Sequence, residues 1–303
     1  MRDECIDVLP SDARWQHAKG PGAHGIQLHY VRQGTGTKVL LLHGWPGFWY
    51  DWRRVIPTLS ANADVIAPDF RGFGNSDKPD VPPTEGYTPE VLAEDILTLL
   101  NHLEINKVIL VAHDIGATVA QRIARKAPNR VESLVLCNPP YPGIGERRYQ
   151  PSAQREFWYQ HLHNLPLAEK LIGYNRDTVR LYLAHFYDHW VGRKEAIRPH
   201  EFEAIVDMYA KPGAIKGSIS YYQARNAARS AESTSMSADS KIIHPTFVLW
   251  GEADPVIPSL WSDRLGEYFE RFTLRVLPGI GHFVPIEAPR ETLEAIFAAL
   301  NQR

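Results

Sequence analysis

The stretch Val108-Ile-Leu-Val-Ala-His-Asp-Ile-Gly-Ala-Thr118 constrains this chain more than any other. It opens on an unbroken run of apolar and β-branched residues, the pattern of a parallel strand buried on both faces. It continues as Ala112-His113-Asp114-Ile115-Gly116, with small residues two positions before and two after an aspartate. That spacing belongs to a sharp strand-to-helix turn carrying a nucleophile at its tip. The flanks must be small because the turn brings backbone and helix into close approach. The unusual feature is that the tip carries a carboxylate.

The segments before it alternate strand and helix. Gly25-Ile-Gln-Leu-His-Tyr-Val31 and the residues before Gly20-Pro21-Gly22 read as an antiparallel hairpin at a sheet edge. Lys38–His43 is an apolar strand ending in Gly44-Trp45-Pro46-Gly47, a loop by composition. Residues 49–59 carry Trp49, Trp52, Val55, Ile56 and Leu59 at helical spacing. Asp64–Ala67 is a further strand, running into the glycine-rich turn from Pro68 to Asp77. Thr88 and Pro89 form a cap and first-turn pair for a helix to about residue 104, with Leu92, Ile96, Leu99, Leu100 and Leu103 inward. A helix to about 127 follows the aspartate, and Val131–Cys137 is another buried strand.

After Asn138-Pro139-Pro140 the pattern changes. Residues 141–240 show no convincing strand, are helical in pattern and rich in aromatic side chains. Strands resume at Thr246–Trp250 and Phe272–Leu277, and a last helix near 288–301 buries Leu293, Ile296, Phe297 and Leu300. The expected architecture is therefore α/β: a mostly parallel twisted sheet with helices on both faces, and a helical lid inserted after the sixth strand. Residues 1–140 and 241–303 form the core domain, and residues 141–240 the cap.

Composition narrows the function. With 303 residues and a net charge of −2, nothing favours nucleic acid or an anionic membrane as partner. No apolar run approaches the ~18 residues that a membrane span needs. Met1–Asp7 has no apolar segment of the secretory kind. The two cysteines, Cys5 and Cys137, are far apart, which fits a reducing, cytoplasmic setting. Thirteen histidines are many, but His161 and His163 are two apart and Asp188 and His189 adjacent, so neither pair shares a helix face. No HExxH pattern, Cys/His spacing or phosphate loop is present, so neither metal nor cofactor is expected.

Two more strand ends carry chemistry. Gly251-Glu252-Ala253-Asp254 follows one strand, and Gly279-Ile280-Gly281-His282-Phe283 follows the next. Chain order is thus nucleophile, acid, base, with His282 the base and Asp254 its orienter. Glu252 is the competing acid. Asp69 and Asp77, within the turn, read as structural.

These residues carry a resemblance. His43-Gly44-Trp45-Pro46, Arg71-Gly72-Phe73-Gly74-Asn75-Ser76-Asp77, Ala112-His113-Asp114-Ile115-Gly116-Ala117, Gly251-Glu252-Ala253-Asp254 and Gly281-His282-Phe283 together resemble the α/β-hydrolase superfamily, specifically its epoxide hydrolase branch. The likeness covers nearly the whole chain. It implies a cofactor-free enzyme in which Asp114 attacks a saturated carbon of a small apolar or aryl epoxide. A serine alkylated there would become an inert ether, whereas an alkylated aspartate is an ester that water can cleave. The family's oxyanion positions match the backbone N–H groups of Trp45 and Ile115, with His43 in the same loop. Its ring-opening tyrosines match Tyr159 and Tyr222, with Tyr221 the alternative to the second, and Trp158 lies beside the first. Phenols suit the task, since the opened ring is an alkoxide that needs a proton.

Two rivals remain. Haloalkane dehalogenases share the aspartate but place Trp directly after it, where this chain has Ile115. Fluoroacetate dehalogenases place Arg there and again three residues on, where this chain has Ile115 and Thr118. A carboxylate-bearing substrate therefore has no clamp at the turn itself, although an indole N–H of Trp45 or Trp158 remains available to a halide. Some relatives carry the triad acid after the preceding strand, but Cys137-Asn138-Pro139 offers no carboxylate there. The second rival is an idle hydrolase fold serving as a ligand sensor. Partners expected are substrate and water alone, with the chain a monomer or homodimer.

Overall fold

The apolar runs pair into one eight-stranded sheet in the order β1-β2-β4-β3-β5-β6-β7-β8. The strands are β1 (His17–Pro21), β2 (Gln27–Gln33), β3 (Thr37–Leu42), β4 (Ala63–Pro68), β5 (Val108–His113), β6 (Val131–Cys137), β7 (Thr246–Gly251) and β8 (Phe272–Leu277). This computed structural model describes residues 9–231 and 241–302, so the N-terminal heptapeptide, Cys5 and residues 232–240 of the expected cap lie outside it. The β1–β2 hairpin and the β2–β4 pairing are antiparallel, and the other pairings are parallel.

Every residue of β5 is buried, as its sequence requires of a strand covered on both faces. Its register sets Leu42 of β3 beside Ala112, and Ala112 beside Leu136 of β6. The Pro89–His102 helix starts where Thr88 accepts a hydrogen bond from the N–H of Val91, with Leu92, Ile96, Leu99 and Leu100 buried and Leu103 partly so.

Residues 49–59 depart from the single helix expected there. Trp49–Trp52 is a 3-10 turn and Ile56–Leu59 a separate short helix. Pro57 opens the second helix, and without an N–H it cannot continue the first. Trp49, Tyr50 and Trp52 are each fully buried, so packing on every side replaces a helix with one apolar face.

Between β6 and β7 the chain is helical: Pro151–Glu156, Trp158–His163, Leu167–Ile172, Arg176–His189, Pro199–Tyr209 and Ala214–Ala231. The Arg176–His189 helix is fixed by a capping box between Asn175 and Thr178. Lid and sheet share one hydrophobic cluster, in which Phe186, Trp190 and Tyr221 join Trp45 and Ile115. Lys216 pairs with Asp80, tying the last lid helix to the loop beyond β4. No helix among the described residues is long and apolar enough to cross a membrane.

β3 lies between β4 and β5, so the chain reverses its direction across the sheet at that point. The crevice beyond the carboxyl ends of such neighbours is where open α/β sheets hold ligands. The loops after β3 and β5 carry Trp45 and Asp114.

Candidate active site

Asp114 sits in the turn with φ 47° and ψ −118°, a strained conformation for a residue with a Cβ. The turn is possible because its neighbours yield space. A methyl group on Gly116 would lie 2.4 Å from the carbonyl oxygen of Leu42, and one on Gly44 would lie 2.8 Å from the Cβ of Asp114. The carboxylate is thereby held at the mouth of the sheet, with Oδ2 accepting the N–H of Trp45 at 3.1 Å. The N–H of Ile115 also acts on the carboxylate and favours its charged form. Burial pushes the acid above its ordinary range, while His282, the two N–H groups and Arg225 act to hold it down.

His282 Nδ1 lies 2.8 Å from Asp254 Oδ2, both side chains buried. Asp254 Oδ1 accepts the N–H groups of Val256 and Ile257, which fixes the loop after β7. Burial acts to lower the imidazole's pKa, but the charge and hydrogen bond of Asp254, with Asp114 beyond, raise it above the usual histidine value. The histidine's backbone is braced as well: its N–H donates to Trp190 of the lid at 2.8 Å, and its carbonyl lies 2.8 Å from His113 Nε2. Glu252 accepts the N–H of Gly279 at the surface and is not the acid beside His282.

The lid brings two phenols to the same place. Asp114, Ile115, Tyr159 and Tyr222 line one narrow cavity. Tyr159 stacks on Trp45 with ring centroids 5.1 Å apart, and Tyr222 meets both rings edge-on. Gln160 Nε2 donates to the Tyr159 hydroxyl at 3.0 Å, and the Tyr222 ring packs edge-on against that of Tyr159 at 5.4 Å. Burial raises both phenols, so each keeps its proton well past neutrality. Tyr221 does not line the cavity; its buried hydroxyl has no hydrogen-bond partner within 3.5 Å among the described residues.

Two candidates stand apart. His43 is buried behind the loop, where Nδ1 faces the carbonyl of Gly44 and Nε2 accepts the N–H of Phe70. It shapes the loop that presents Trp45. Trp158 is 38% exposed on the lid's outer side, packed against His185 and Phe186. Adjacent residues on a helix face different ways, so with Tyr159 inward Trp158 must point out. Asp69 and Asp77 are bound into the turn: Asp69 accepts from Trp49 and Asn75 and pairs with His29, while Asp77 accepts from Gln27. Among the described residues no His, Cys, Asp and Glu side chains cluster in a way that could hold a metal.

Other functional neighbours carried no signal of their own in the sequence. Asn138, at the end of β6, donates through Nδ2 to Asp254 Oδ2. Glu287 accepts four backbone N–H groups, from Gly281 and Phe283 of the histidine loop and from Gly192 and Arg193 of the lid. Arg148 and Arg225 line the cavity. A nucleophilic carboxylate, backbone donors on one of its oxygens, an oriented imidazole and two proton-bearing phenols can together open and then release a substrate at saturated carbon.

The family model for the alpha/beta hydrolase fold matches residues 37–289. Epoxide hydrolase 3 of Mus musculus is 32% identical over 91% of this chain and 74% of its own length. The soluble epoxide hydrolase of Corynebacterium sp. (strain C12) is also 32% identical, over 92% of this chain and 96% of its own. Among solved structures, the epoxide hydrolase CorEH superposes with a TM-score of 0.78 at 28% identity, over 95% of this chain and 100% of that one. With the buried aspartate turn and its oriented histidine already in place, this chain belongs to the α/β-hydrolase superfamily, in its epoxide hydrolase branch.

Proposed function

We propose that the protein hydrolyses epoxides to vicinal diols through a covalent ester on Asp114. The observation that carries this reading is the single cavity in which Asp114 faces both Tyr159 and Tyr222. Oδ2 of Asp114 is held by the N–H of Trp45, so Oδ1 attacks the less hindered ring carbon. The C–O bond of the ring breaks, and the departing alkoxide takes a proton from the phenol pair.

His282, oriented by Asp254, then removes a proton from water, and the water oxygen adds to the ester carbonyl carbon. The resulting oxyanion is met by the N–H groups of Trp45 and Ile115. Collapse releases the diol with Oδ1 of the aspartate, the imidazolium of His282 giving its proton to the departing alkoxide; the water oxygen stays in the carboxyl group, whose remaining proton returns to the phenolate. The helices between Pro151 and Ala231 act as a cap that supplies the phenols and keeps bulk water from the ester. Cys137 is a buried free thiol, in keeping with a reducing, cytoplasmic setting.

Dehalogenation draws less support. Of the two indoles offered by the sequence to a halide, Trp158 lies on the outer side of the lid and Trp45 does not line the cavity. A single turnover in oxygen-18 water tests the proposal. The first diol comes out unlabelled and the protein gains the label. Heavy oxygen in that first diol overturns it.

A further inference from the structure

The loop that presents Trp45 rests on a buried acid. Asp51, in the 3-10 turn Trp49–Trp52, is 2% exposed, and its Oδ1 has no hydrogen-bond partner among the described residues. Its carboxyl group fills the space that a side chain on residue 47 would need: a methyl group on Gly47 would lie 1.9 Å from Asp51 Oδ2. Gly47 in turn donates its N–H to the carbonyl of Gly44 at 3.1 Å, which closes the loop around Trp45 and Pro46. Two lid phenols cover the same loop, Tyr187 donating to the carbonyl of Pro46 and Tyr209 to that of Gly47.

The charged and titratable groups that face Asp51 are Arg53, directly after its own turn, Asp69 beyond β4, Asp114, His282 and the two lid phenols. Arg53 is committed through Nε to Glu201 Oε1 at 2.7 Å and through Nη1 to the carbonyl of Tyr50. Asp69 and Asp114 both repel a third carboxylate. A carboxylate buried without hydrogen bonds is costly, and such a group keeps its proton instead. Burial pushes Asp51 up to about 8, with Arg53 opposing the rise and Asp69 and Asp114 adding to it.

We infer that Asp51 is a positioning residue for ester hydrolysis: as a neutral acid it packs under Gly47 and holds the loop that aims the Trp45 N–H, and loss of its proton releases that loop. This rests on the ester route proposed above and adds a residue to its second step. An ionised Asp51 gains solvation only if the loop moves, and the Trp45 N–H moves with it. The oxyanion of the second step then loses a donor aimed at it. Alkylation develops its charge on the ring oxygen, beside the phenols, and is spared. Hydrolysis accordingly falls as pH rises through the value at which Asp51 ionises.

The test follows ester formation and ester decay separately, by rapid quenching and intact mass, from about pH 7 to about pH 10. In the wild type, decay slows by about tenfold or more across that range, a fraction of what an oxyanion donor is worth, while formation holds. Asp51→Ala, which empties the space under Gly47, slows decay at every pH. Asp51→Asn, which refills it without a charge, restores the neutral-pH rate and abolishes the alkaline fall. A purely structural role would not move that limb. A second readout needs no substrate. An acid whose pKa is raised in the folded state lowers stability increasingly as pH climbs from its unfolded to its folded value. The denaturant midpoint of Asp51→Asn should therefore lie above that of the wild type, by a gap that widens from about pH 5 to about pH 8. An alkaline fall that survives in Asp51→Asn, no alkaline fall in the wild type, or a gap that does not widen overturns the inference. Absence of ester in the wild type at every pH removes the ester route and with it the role in hydrolysis; a widening gap then leaves only the neutral acid.

Discussion

The N–H of Trp45 donates to Asp114 Oδ2 at 3.1 Å, joining the loop after β3 to the turn after β5. The resting carboxylate therefore already occupies the site that a tetrahedral oxyanion would need. Stabilisation prepared before reaction requires no rearrangement during it. One oxygen is committed to the backbone, and in the proposed route the other attacks.

That division of labour separates two steps that mutation can uncouple. Asp114→Asn removes the nucleophile and should abolish turnover. His282→Gln keeps the nucleophile and removes the base, so alkylation proceeds and hydrolysis falls by about 10²–10⁴-fold. Intact mass spectrometry of His282→Gln after exposure to an epoxide should show the protein heavier by one substrate. Sustained turnover by either variant, or a histidine variant that never gains mass, contradicts the two-step route.

Tyr159 and Tyr222 pack edge to face with ring centroids 5.4 Å apart, and both line the cavity that holds Asp114. Loss of a positioned acid costs about 10²–10⁴-fold in the step it serves. Each single Tyr→Phe change should slow alkylation by less than that range, because the remaining phenol still donates. Tyr159→Phe with Tyr222→Phe should slow it by far more than the product of the two. Trp45, stacked on Tyr159, offers a fluorescence signal for following the step. Additive losses in the double variant would mean that the phenols do not substitute for one another.

The pKa directions order the steps in pH. His282 must be neutral to accept a proton, and its value is raised above the ordinary 6.5. Hydrolysis is therefore lost as pH falls through that raised value. Asp114 must be ionised to attack, and although burial raises it, the charge of a protonated His282 favours its ionised form. Alkylation thus persists to lower pH than hydrolysis. Rapid quenching at about pH 6 should trap more ester than quenching at about pH 8. An ester fraction that falls on acidification would refute this order.

Much of this was legible in the sequence, and for physical reasons. Strands buried on both faces must be continuous apolar runs, so β3, β4, β5 and β6 announce themselves. Asp114 and Asp254 each follow such a run, His282 follows the exposed edge strand β8, and all three stand near glycines at the one edge where the strand ends of a sheet meet. Helix 49–59 misled because Trp49 and Trp52 fit a helical period while packing demanded a break at Pro57. Trp158 misled because one residue of phase turns a side chain from cavity to solvent. Arg148, Arg225, Asn138 and Glu287 were not legible. The first two reach the cavity only through the fold of the lid, and the pairing of Asn138 with Asp254 or of Gly192 with Glu287 exists only after folding.

Glu287 ties the histidine loop to the lid. Its Oε2 takes the N–H groups of Gly281, Gly192 and Arg193, and Oε1 takes that of Phe283. Glu287→Gln keeps the shape but turns an amide NH2 towards at least one of these donors. The expected loss is about 1–3 kcal/mol, read as a lower denaturant midpoint with unchanged slope. Hydrolysis should slow more than alkylation, since the clamp holds the loop of His282 and not the turn of Asp114. Stability within about 0.5 kcal/mol of wild type would place the clamp among ordinary surface contacts.

Asn138 and Asp254 reach one point from neighbouring strands, β6 and β7, and Asp254 Oδ2 receives both Asn138 Nδ2 and His282 Nδ1. The end of β6 is thus one side chain away from His282. Asp254→Asn leaves the imidazole without its anion and should cut hydrolysis by about 10²-fold or more. Asn138→Asp placed on that background restores a carboxylate close to the same oxygen position. Its backbone has φ 44°, which aspartate tolerates nearly as well as asparagine. The double variant should recover at least tenfold of the lost hydrolysis, or ~1.4 kcal/mol, with alkylation unchanged throughout. No recovery would show that the imidazole needs its acid from β7 in particular, because geometry and not charge alone sets the tautomer.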